Sequence, residues 1–351
     1  MLALKSHQLI ISVKKTLACH ASTVLPLPDG RVLTAWFGGS HESNPDVGIW
    51  LAEKGEKGFG EARLAATSLE PHWNPVLFRA PDGRILLFYK VGFYIPDWRT
   101  YVIESHDLGR TWSSPRELVP GDISGGRGPV RNKPIVLKSG RILAPASVER
   151  GLWRCFMDIS DDGCRTWRKS NLIEAKGTAH LDEGLKLWQA RALEAKKKGE
   201  AFDRSQLPPE YQHGRGIIQP TLWEDESGVH ALMRSGEGAI CRSDSSDDGL
   251  NWCEAYPICL PNNNSGIDLT RMDDGTLLLV FNPVNMNFGV RSPLSVAASR
   301  DSGQSWEKLF DLEAEPGEFS YPAIVHEGEK VFITYTHRRE NIACWEFVWK
   351  P

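Results

Sequence analysis

Residues 22–37, STVLPLPDGRVLTAWF, contain the unit that decides the fold: a short apolar run, a tight turn that ends in glycine, and a second apolar run. The unit recurs five times, as residues 74–90 (NPVLFRAPDGRILLFYK), 133–148 (KPIVLKSGRILAPASV), 219–234 (QPTLWEDESGVHALMR), 268–283 (DLTRMDDGTLLLVFNP) and 321–336 (YPAIVHEGEKVFITYT). Asp-Gly and Ser-Gly supply the positive φ of a hairpin turn, and such apolar runs are typical of strands buried on both faces. The sequence therefore predicts six β-hairpins.

The spacing of the hairpins predicts their arrangement. The turn glycines are Gly30, Gly83, Gly140, Gly228, Gly275 and Gly328, and successive ones lie 53, 57, 88, 47 and 53 residues apart. Apart from the one long interval, this period of about 50 residues is the length of a four-stranded propeller blade. We predict an all-β fold, a single six-bladed β-propeller over residues 1–351.

The long interval contains a helical insertion between blades, over residues 176–215. Within it, Leu185, Trp188 and Ala192 recur at helical spacing among lysines and glutamates. A surface helix, a lid or rim over the functional site, and an oligomer contact all remain open for this segment.

Composition limits the partners and the location. The net charge of −4 offers no basic footprint for nucleic acid or an anionic membrane. No apolar stretch reaches the roughly 18 residues that a membrane-spanning helix needs. The seven cysteines are scattered without metal-type spacing, and no nucleotide-binding glycine loop is present, so no metal and no cofactor are implied. We expect reduced thiols and a cytoplasmic protein.

The residues that enter the inner strands should form a ring at one mouth of the propeller. They are His20, Trp73, Asn74, Asn132, Lys133, Gln219, Asp268 and Tyr321. Further polar groups lie in adjoining loops or at the other ends of the hairpins: Asp46, Arg131, Glu149, Arg234, Arg291, Arg338 and Arg339. A polar ring of this kind indicates a wet pocket, because buried polar groups without partners are costly.

A second motif connects the chain to a known family. The pattern Ser-x-Asp-x-Gly-x-Thr-Trp stands as SHDLGRTW (105–112), SSDDGLNW (245–252) and SRDSGQSW (299–306), with a degenerate copy SDDGCRTW (160–167). It resembles the Asp-box of the sialidase superfamily, in its branch of sialidase-like BNR-repeat proteins. The segments CHAST, GPVRNKPIVLKSGRIL, GIIQPTL, NNNSGIDL, GEFSYPAI and YTHRR extend the resemblance over essentially the whole chain. We expect the turn aspartates to be structural, since a short acidic side chain in a turn accepts backbone N–H bonds.

The resemblance implies a set of roles. Sialidases bind the substrate carboxylate with three arginines, and they use a tyrosine nucleophile paired with a glutamate and an aspartate as acid/base. By this resemblance Tyr321 is the nucleophile, Asp46 is the acid/base, and Arg234 and Arg291 are the second and third arginines. The remaining candidate substrate-binding residues are Asn74, Arg131, Lys133, Asp268 and Arg338.

Two positions depart from the family pattern. His20 stands where the first arginine is expected, and Gln219 stands where the glutamate that activates the tyrosine is expected. An amide cannot accept a proton from a phenol of pKa about 10, and Glu149 from a neighbouring blade is a substitute.

Three functions are therefore open. The first is an exo-glycosidase, a sialidase-like glycoside hydrolase that acts on a carboxylate-bearing sugar of an oligosaccharide or glycoconjugate. The second is a lyase or rhamnosidase that acts at rhamnose–glucuronate linkages, with His20 and Tyr321 in proton transfer. The third is a glycan-binding propeller without catalysis.

Overall fold

The computed structural model describes residues 2–203, 207–208, 211 and 214–350. The first half contains the strands β1 (Leu2–Leu9), β2 (Ala18–Pro26), β3 (Val32–Gly39), β4 (Gly48–Gly55), β5 (Gly58–Phe59), β6 (Arg63–Ala66), β7 (His72–Arg79), β8 (Ile85–Val91), β9 (Arg99–Ser105), β10 (Arg116–Glu117), β11 (Ile135–Val136), β12 (Ile142–Val148), β13 (Arg154–Ser160) and β14 (Arg168–Lys169). The second half contains β15 (Ile217–Glu224), β16 (Val229–Ser235), β17 (Ala239–Ser245), β18 (Tyr256–Pro261), β19 (Asp268–Arg271), β20 (Leu277–Phe281), β21 (Leu294–Ser299), β22 (Glu307–Glu313), β23 (Phe319–Glu327), β24 (Lys330–His337) and β25 (Asn341–Trp349).

The strands form six antiparallel sheets, which confirms the predicted six-bladed propeller. Blade one contains β2 to β6, blade two β7 to β10, blade three β11 to β14, blade four β15 to β18 and blade five β19 to β22. Blade six combines β23, β24 and β25 with the first strand, β1, so strands from the two ends of the chain share one sheet. This pairing closes the ring of blades.

The predicted hairpins lie at the centre of each blade. Gly30 and Gly83 have φ of 85° and 89°, a conformation that glycine adopts without steric cost. The strands on both sides are almost entirely buried, as in β3 and β8. Strand β2 packs against β7 and β23, and β19 packs against β15 and β23, so the first strand of each hairpin lies nearest the propeller axis.

Four inner strands share a β-bulge close to one mouth of the propeller. The pairing register shifts between His20 and Thr23, and equivalent shifts occur in β7, β15 and β23. The residues at the bulges have positive φ: Ala21, Asn74, Gln219 and Tyr321. A bulge bends the strand and re-aims a side chain, so it turns Asn74, Gln219 and Tyr321 out of the regular alternation.

The predicted insertion contains one α-helix within the described residues, α1 (Asp182–Lys198), preceded by a 3-10 turn at Ala179–Leu181. A second 3-10 turn, Ile95–Asp97, follows β8. Part of the loop after α1, at 204–206, 209–210 and 212–213, lies outside the described residues. In the part of the chain that the structure describes, no helix is long and apolar enough to cross a membrane.

The helix is fixed to blade three. Asp182 Oδ1 accepts from the backbone N–H of Leu152 at 3.1 Å and from Arg154 Nη1 at 2.9 Å. Gln189 donates to the carbonyl of Glu149 and accepts from the N–H of Gly151, both at 2.8 Å. These bonds hold α1 in one orientation beside the propeller.

The aspartates of the Ser-x-Asp turns hold the turns together, as expected from the sequence. Asp301 Oδ1 accepts from the N–H groups of Ser305 and Gln304 and from the hydroxyl of Ser299, at 2.9, 3.1 and 2.8 Å. The hydrogen bond from Ser305 is the main cause that lowers the pKa of Asp301 to about 2. The carboxylate is therefore saturated with local donors.

Candidate functional site

Tyr321 lies at the centre of a cluster of cationic and aromatic side chains. The guanidinium carbons of Arg131, Arg234 and Arg291 lie 5.5, 5.4 and 5.5 Å from the centre of its ring. The ring of His20 lies 4.2 Å from it, centre to centre. These residues come from blades one, three, four, five and six, and the bulge at Tyr321 brings its ring among them.

Arg234 connects the polar groups of this cluster. Its Nη1 donates to the hydroxyl of Tyr321 at 2.6 Å and to Gln219 Oε1 at 3.1 Å, and its Nε donates to Asn264 Oδ1 at 3.1 Å. Nη2 has no hydrogen-bond partner among the described residues. The three bonds fix the guanidinium and leave the two N–H groups of Nη2 for a ligand.

The side chains of Arg131, Asn132 and Lys133, at the start of blade three, form hydrogen bonds with residues of three other blades. Arg131 donates to the backbone carbonyls of Tyr321 and Pro322, and Asn132 donates to those of Gln219 and Pro220. The bulges at Gln219 and Tyr321, two of the four, are therefore held from the same segment. Burial lowers the pKa of the Arg131 guanidinium to about 10, while the charge of Asp268 acts in the opposite direction.

Lys133 and Asp268 form a buried ion pair. Lys133 Nζ lies 2.9 Å from Asp268 Oδ2, which also accepts from the N–H of Ile324 at 2.9 Å. Asp268 Oδ1 accepts from Thr221 Oγ1 at 2.7 Å. The predicted substrate-binding residues Lys133 and Asp268 thus use their charged atoms on each other and on the neighbouring blades.

Arg291 belongs to a chain of ion pairs at the rim. Its Nη1 donates to Glu318 Oε1 at 2.7 Å and to Ser320 Oγ at 3.2 Å. Glu318 Oε1 also accepts from Arg339 Nε at 2.7 Å, and Arg339 pairs with Glu42. One carboxylate is shared by two guanidinium groups, so the neighbourhood of Tyr321 keeps an excess of positive charge.

His20 is buried and uncharged. Burial is the main cause that holds its pKa well below the usual range, and Arg339, Arg291, Arg131 and Arg234 lower it further. Its Nδ1 is inaccessible and has no hydrogen-bond partner among the described residues. A neutral imidazole in contact with Tyr321 can accept a proton but cannot bind a carboxylate as an arginine does.

A cavity of about 360 Å³ lies between the propeller and α1. Glu149 and Trp73 line it on the propeller side, and Trp188 lines it on α1. Burial raises the pKa of Glu149 to about 7, with the nearby charge of Arg234 acting in the opposite direction. A carboxyl group that titrates near neutral pH suits proton transfer.

Among the predicted residues that have no hydrogen bond or ion pair to the Tyr321 cluster, within the described residues, are Asn74, Asp46 and Arg338. Asn74 is buried at the bulge of β7. Asp46 lies in an exposed loop, where its two carboxylate oxygens accept from the N–H and the hydroxyl of Ser40 at 2.7 and 2.8 Å. Arg338 lies over the ring of Phe319, with its guanidinium carbon 5.7 Å from the ring centre.

The sequence gives Asn264 of the NNNSG segment no role: its positive φ of 59° is typical of a turn, and nothing in the sequence indicates its partner, Arg234. Asn132, predicted to lie in the ring at the mouth, donates its amide to two backbone carbonyls. Within the described residues, no group of three His, Cys, Asp or Glu side chains has the geometry of a metal site.

Comparisons with solved structures identify the same fold in sialidases. A Dyadobacter fermentans protein of unknown function is 16% identical, with a TM-score of 0.73 over 99% of both chains. The NanB sialidase of Streptococcus pneumoniae is 13% identical, with a TM-score of 0.69 over 98% of this chain and 70% of that one. The Trypanosoma rangeli sialidase is 12% identical, with a TM-score of 0.68 over 97% of this chain and 59% of that one. At these identities the likeness concerns the fold alone.

The sequence itself places the chain in a family. A search of curated proteins finds no significant match. The model of the BNR repeat-like domain family matches residues 30–333, which include the turns of all six predicted hairpins. The propeller is thus sialidase-like in structure, and the chain belongs to the BNR repeat-like domain family.

Proposed function

We propose that the protein is a glycoside hydrolase that removes a carboxylate-bearing sugar from an oligosaccharide or glycoconjugate. The observation that carries this proposal is the contact between Tyr321 and three guanidinium groups, one of which donates to its hydroxyl. Such a site attracts an anionic ligand and supports negative charge on a tyrosine oxygen.

The substrate carboxylate binds to Arg234 and Arg291 in this proposal. Arg234 Nη2, and Nε and Nη2 of Arg291, have no hydrogen-bond partner among the described residues. Guanidinium groups bind carboxylates through paired N–H donors, which gives both affinity and orientation. Arg131 has a different role, because it positions Tyr321 through the backbone carbonyls of the bulge.

Tyr321 then attacks the anomeric carbon as the nucleophile. Gln219 cannot accept the phenolic proton, but its amide oxygen orients Arg234. Arg234 stabilises the tyrosine oxygen as charge develops, and Glu149 or neutral His20 accepts the proton. Asp46 is the proposed acid/base: it protonates the leaving oxygen as the glycosidic bond breaks, and it then takes a proton from the water that hydrolyses the glycosyl–tyrosine bond. This second step releases the sugar and restores Tyr321, which regains its proton from the group that accepted it. Ser43 of the same loop lines the cavity beside the site.

A second candidate is β-elimination next to a uronic acid carboxylate. The observation in its favour is the neutral, unpartnered His20 against the Tyr321 ring, since such a pair can remove and return protons. The arginines would stabilise the enolate-like charge that develops.

Three variants distinguish the candidates, including binding without catalysis. For the hydrolase, we expect Tyr321→Phe and Asp46→Asn each to remove most of kcat. For the lyase, we expect His20→Ala to remove it while Asp46→Asn is tolerated. If the wild-type protein binds acidic oligosaccharides but turns none over, both catalytic proposals fail.

A further inference from the structure

The cavity between α1 and the propeller is rich in aromatic side chains. Seven aromatic residues line it: Trp73, Phe93, Tyr94, Trp153, Trp188, Phe202 and Tyr211. They come from three separate parts of the chain, namely blade two, blade three and the insertion. A volume of about 360 Å³ is within the range of small-molecule sites.

The cavity adjoins the proposed reaction site at two points. The carbonyl of Gly214, which lines it, accepts from Asn264 Nδ2 at 3.3 Å, and Asn264 Oδ1 accepts from Arg234 Nε at 3.1 Å. Ser43, which also lines it, lies three positions from Asp46, and turn hydrogen bonds from Asn44 to His41 and from Val47 to Asn44 fix this loop. A sugar held on Arg234 would therefore direct its leaving group into the cavity.

Some polar groups that line the cavity already have hydrogen-bond partners within the protein. Trp73 donates its indole N–H to the carbonyl of Gly92 at 2.9 Å, and its ring packs on Trp98 at 4.9 Å. The side-chain amide of Gln189 donates to the carbonyl of Glu149 and accepts from the N–H of Gly151. Both side chains therefore present apolar surface, on which a flat apolar group can pack without leaving a polar atom of either side chain unpaired.

Contacts within the protein hold the α1 wall of the cavity in place. Asp182 and Gln189 fix α1 to β13 and the loop before it, and Leu185 packs with Leu152 and Leu181. Trp188 is supported by Phe202, with ring centres 6.3 Å apart. A rigid aromatic cavity binds a flat apolar group without ordering its own side chains first.

From these contacts we infer that the cavity is the leaving-group subsite, and that the substrate joins an acidic sugar to a flat, apolar, ring-bearing group. This inference rests on the proposed function for the identity of the sugar. The insertion then sets which conjugates the enzyme accepts, because α1 and Trp188 form one wall.

The direct test is calorimetric titration of the full chain with 2-naphthol, without any sugar. We expect saturable binding at one site. Trp188→Ala and Phe93→Ala, on opposite walls, should each weaken it about tenfold or more, which is about 1.4 kcal/mol. Leu187→Ala, on the exposed face of the same helix, is the matched control and should leave the affinity unchanged. Melting curves establish that each variant is folded.

Absence of 2-naphthol binding, or binding that both cavity variants leave intact, would overturn the inference. Tighter binding of lactose, with dependence on Trp188, would assign the cavity to a sugar instead and also overturn it.

Failure of the proposed function has a different signature. The 2-naphthyl and methyl glycosides of the same acidic sugars are compared as substrates. If 2-naphthol binds in a Trp188-dependent way but neither glycoside reacts, the proposed function fails and the apolar site remains. If both react with equal KM and 2-naphthol does not bind, the hydrolase remains and the subsite fails.

Discussion

Arg234 donates a hydrogen bond from Nη1 to the hydroxyl of Tyr321, at 2.6 Å, across 87 residues of chain. The bond joins blade four to blade six at the mouth of the propeller. It depends on the bulge at Tyr321, because a regular strand would direct that side chain into the blade. The proposed nucleophile and the proposed carboxylate-binding group therefore contact each other directly.

The hydroxyl of Tyr321 is the group to remove first. Tyr321→Phe keeps the ring that His20 and the three arginines contact, so we expect a change in the free energy of unfolding within about 1 kcal/mol. We expect kcat to fall by about a thousandfold or more, because the nucleophile is gone. Tyr256→Phe, in the outer strand of blade four, is the control and should keep full activity. Retention of kcat in Tyr321→Phe would remove tyrosine from the mechanism.

A positive charge at position 234 should not by itself be enough for activity on an acidic sugar. Arg234→Lys retains a cation but cannot bond Tyr321, Gln219 and a carboxylate at once, so kcat/KM for an acidic sugar should fall about a hundredfold or more. Arg338→Lys, outside the cluster, is the control and should change kcat/KM little. Equal kinetics for the Arg234 and Arg338 variants would argue against carboxylate binding at Arg234.

Glu149 should make the folded state pH-dependent. Its pKa is raised from 4.5 to about 7, so between these values the folded state binds more protons than the unfolded state. Stability from this group is therefore present at low pH and is lost as pH rises toward 7. We expect the melting temperature of the wild type to fall more steeply over this window than that of Glu149→Gln. Parallel pH profiles for the two proteins would show that Glu149 is not buried in its neutral form.

Lys133 should matter for stability, because it pairs with the buried carboxylate of Asp268. Lys133→Met leaves that charge without its partner, and we expect a loss of about 3 kcal/mol or more in the free energy of unfolding. Denaturant titration measures the loss. Arg338→Met is the control and should lower the free energy of unfolding by less than about 1 kcal/mol. An unchanged stability with weakened substrate binding would return Lys133 to the substrate-binding set.

Substitution of a turn aspartate should lower stability without changing activity. Asp301→Ala removes the acceptor for the N–H groups of Ser305 and Gln304. We expect a lower melting temperature and an unchanged kcat/KM for the folded enzyme. A selective loss of activity at unchanged melting temperature would contradict the structural role.

The repeats predict the fold because each hairpin carries its own turn signal. Gly30 and its five equivalents mark the turns, and the apolar runs beside them become buried strands. The position of the mouth residues follows from the same repeat, so the nearness of Tyr321, His20, Gln219 and Arg234 could be anticipated without coordinates.

Other features of the site depend on where the strands bulge and on which polar side chains pair with each other. Pro75, Pro220 and Pro322 follow three of the bulge residues and remove a ladder donor there, which is a sequence signal for the bulges. Nothing in the sequence indicates that Lys133 pairs with Asp268, since both residue types also bind ligands. The aromatic cavity combines Trp73 and Trp188, and their nearness depends on how α1 docks through Asp182 and Gln189.

Hydrolysis and elimination are distinguished by product analysis with mass spectrometry and ultraviolet absorbance, on a panel of sialosides and rhamnose–glucuronate oligosaccharides. For the proposed hydrolase we expect a free acidic sugar with the mass gain of one water, formed by the wild type and not by Tyr321→Phe. An unsaturated uronic acid product, detected by the absorbance of its conjugated double bond, would contradict the hydrolase and transfer the chemistry to His20.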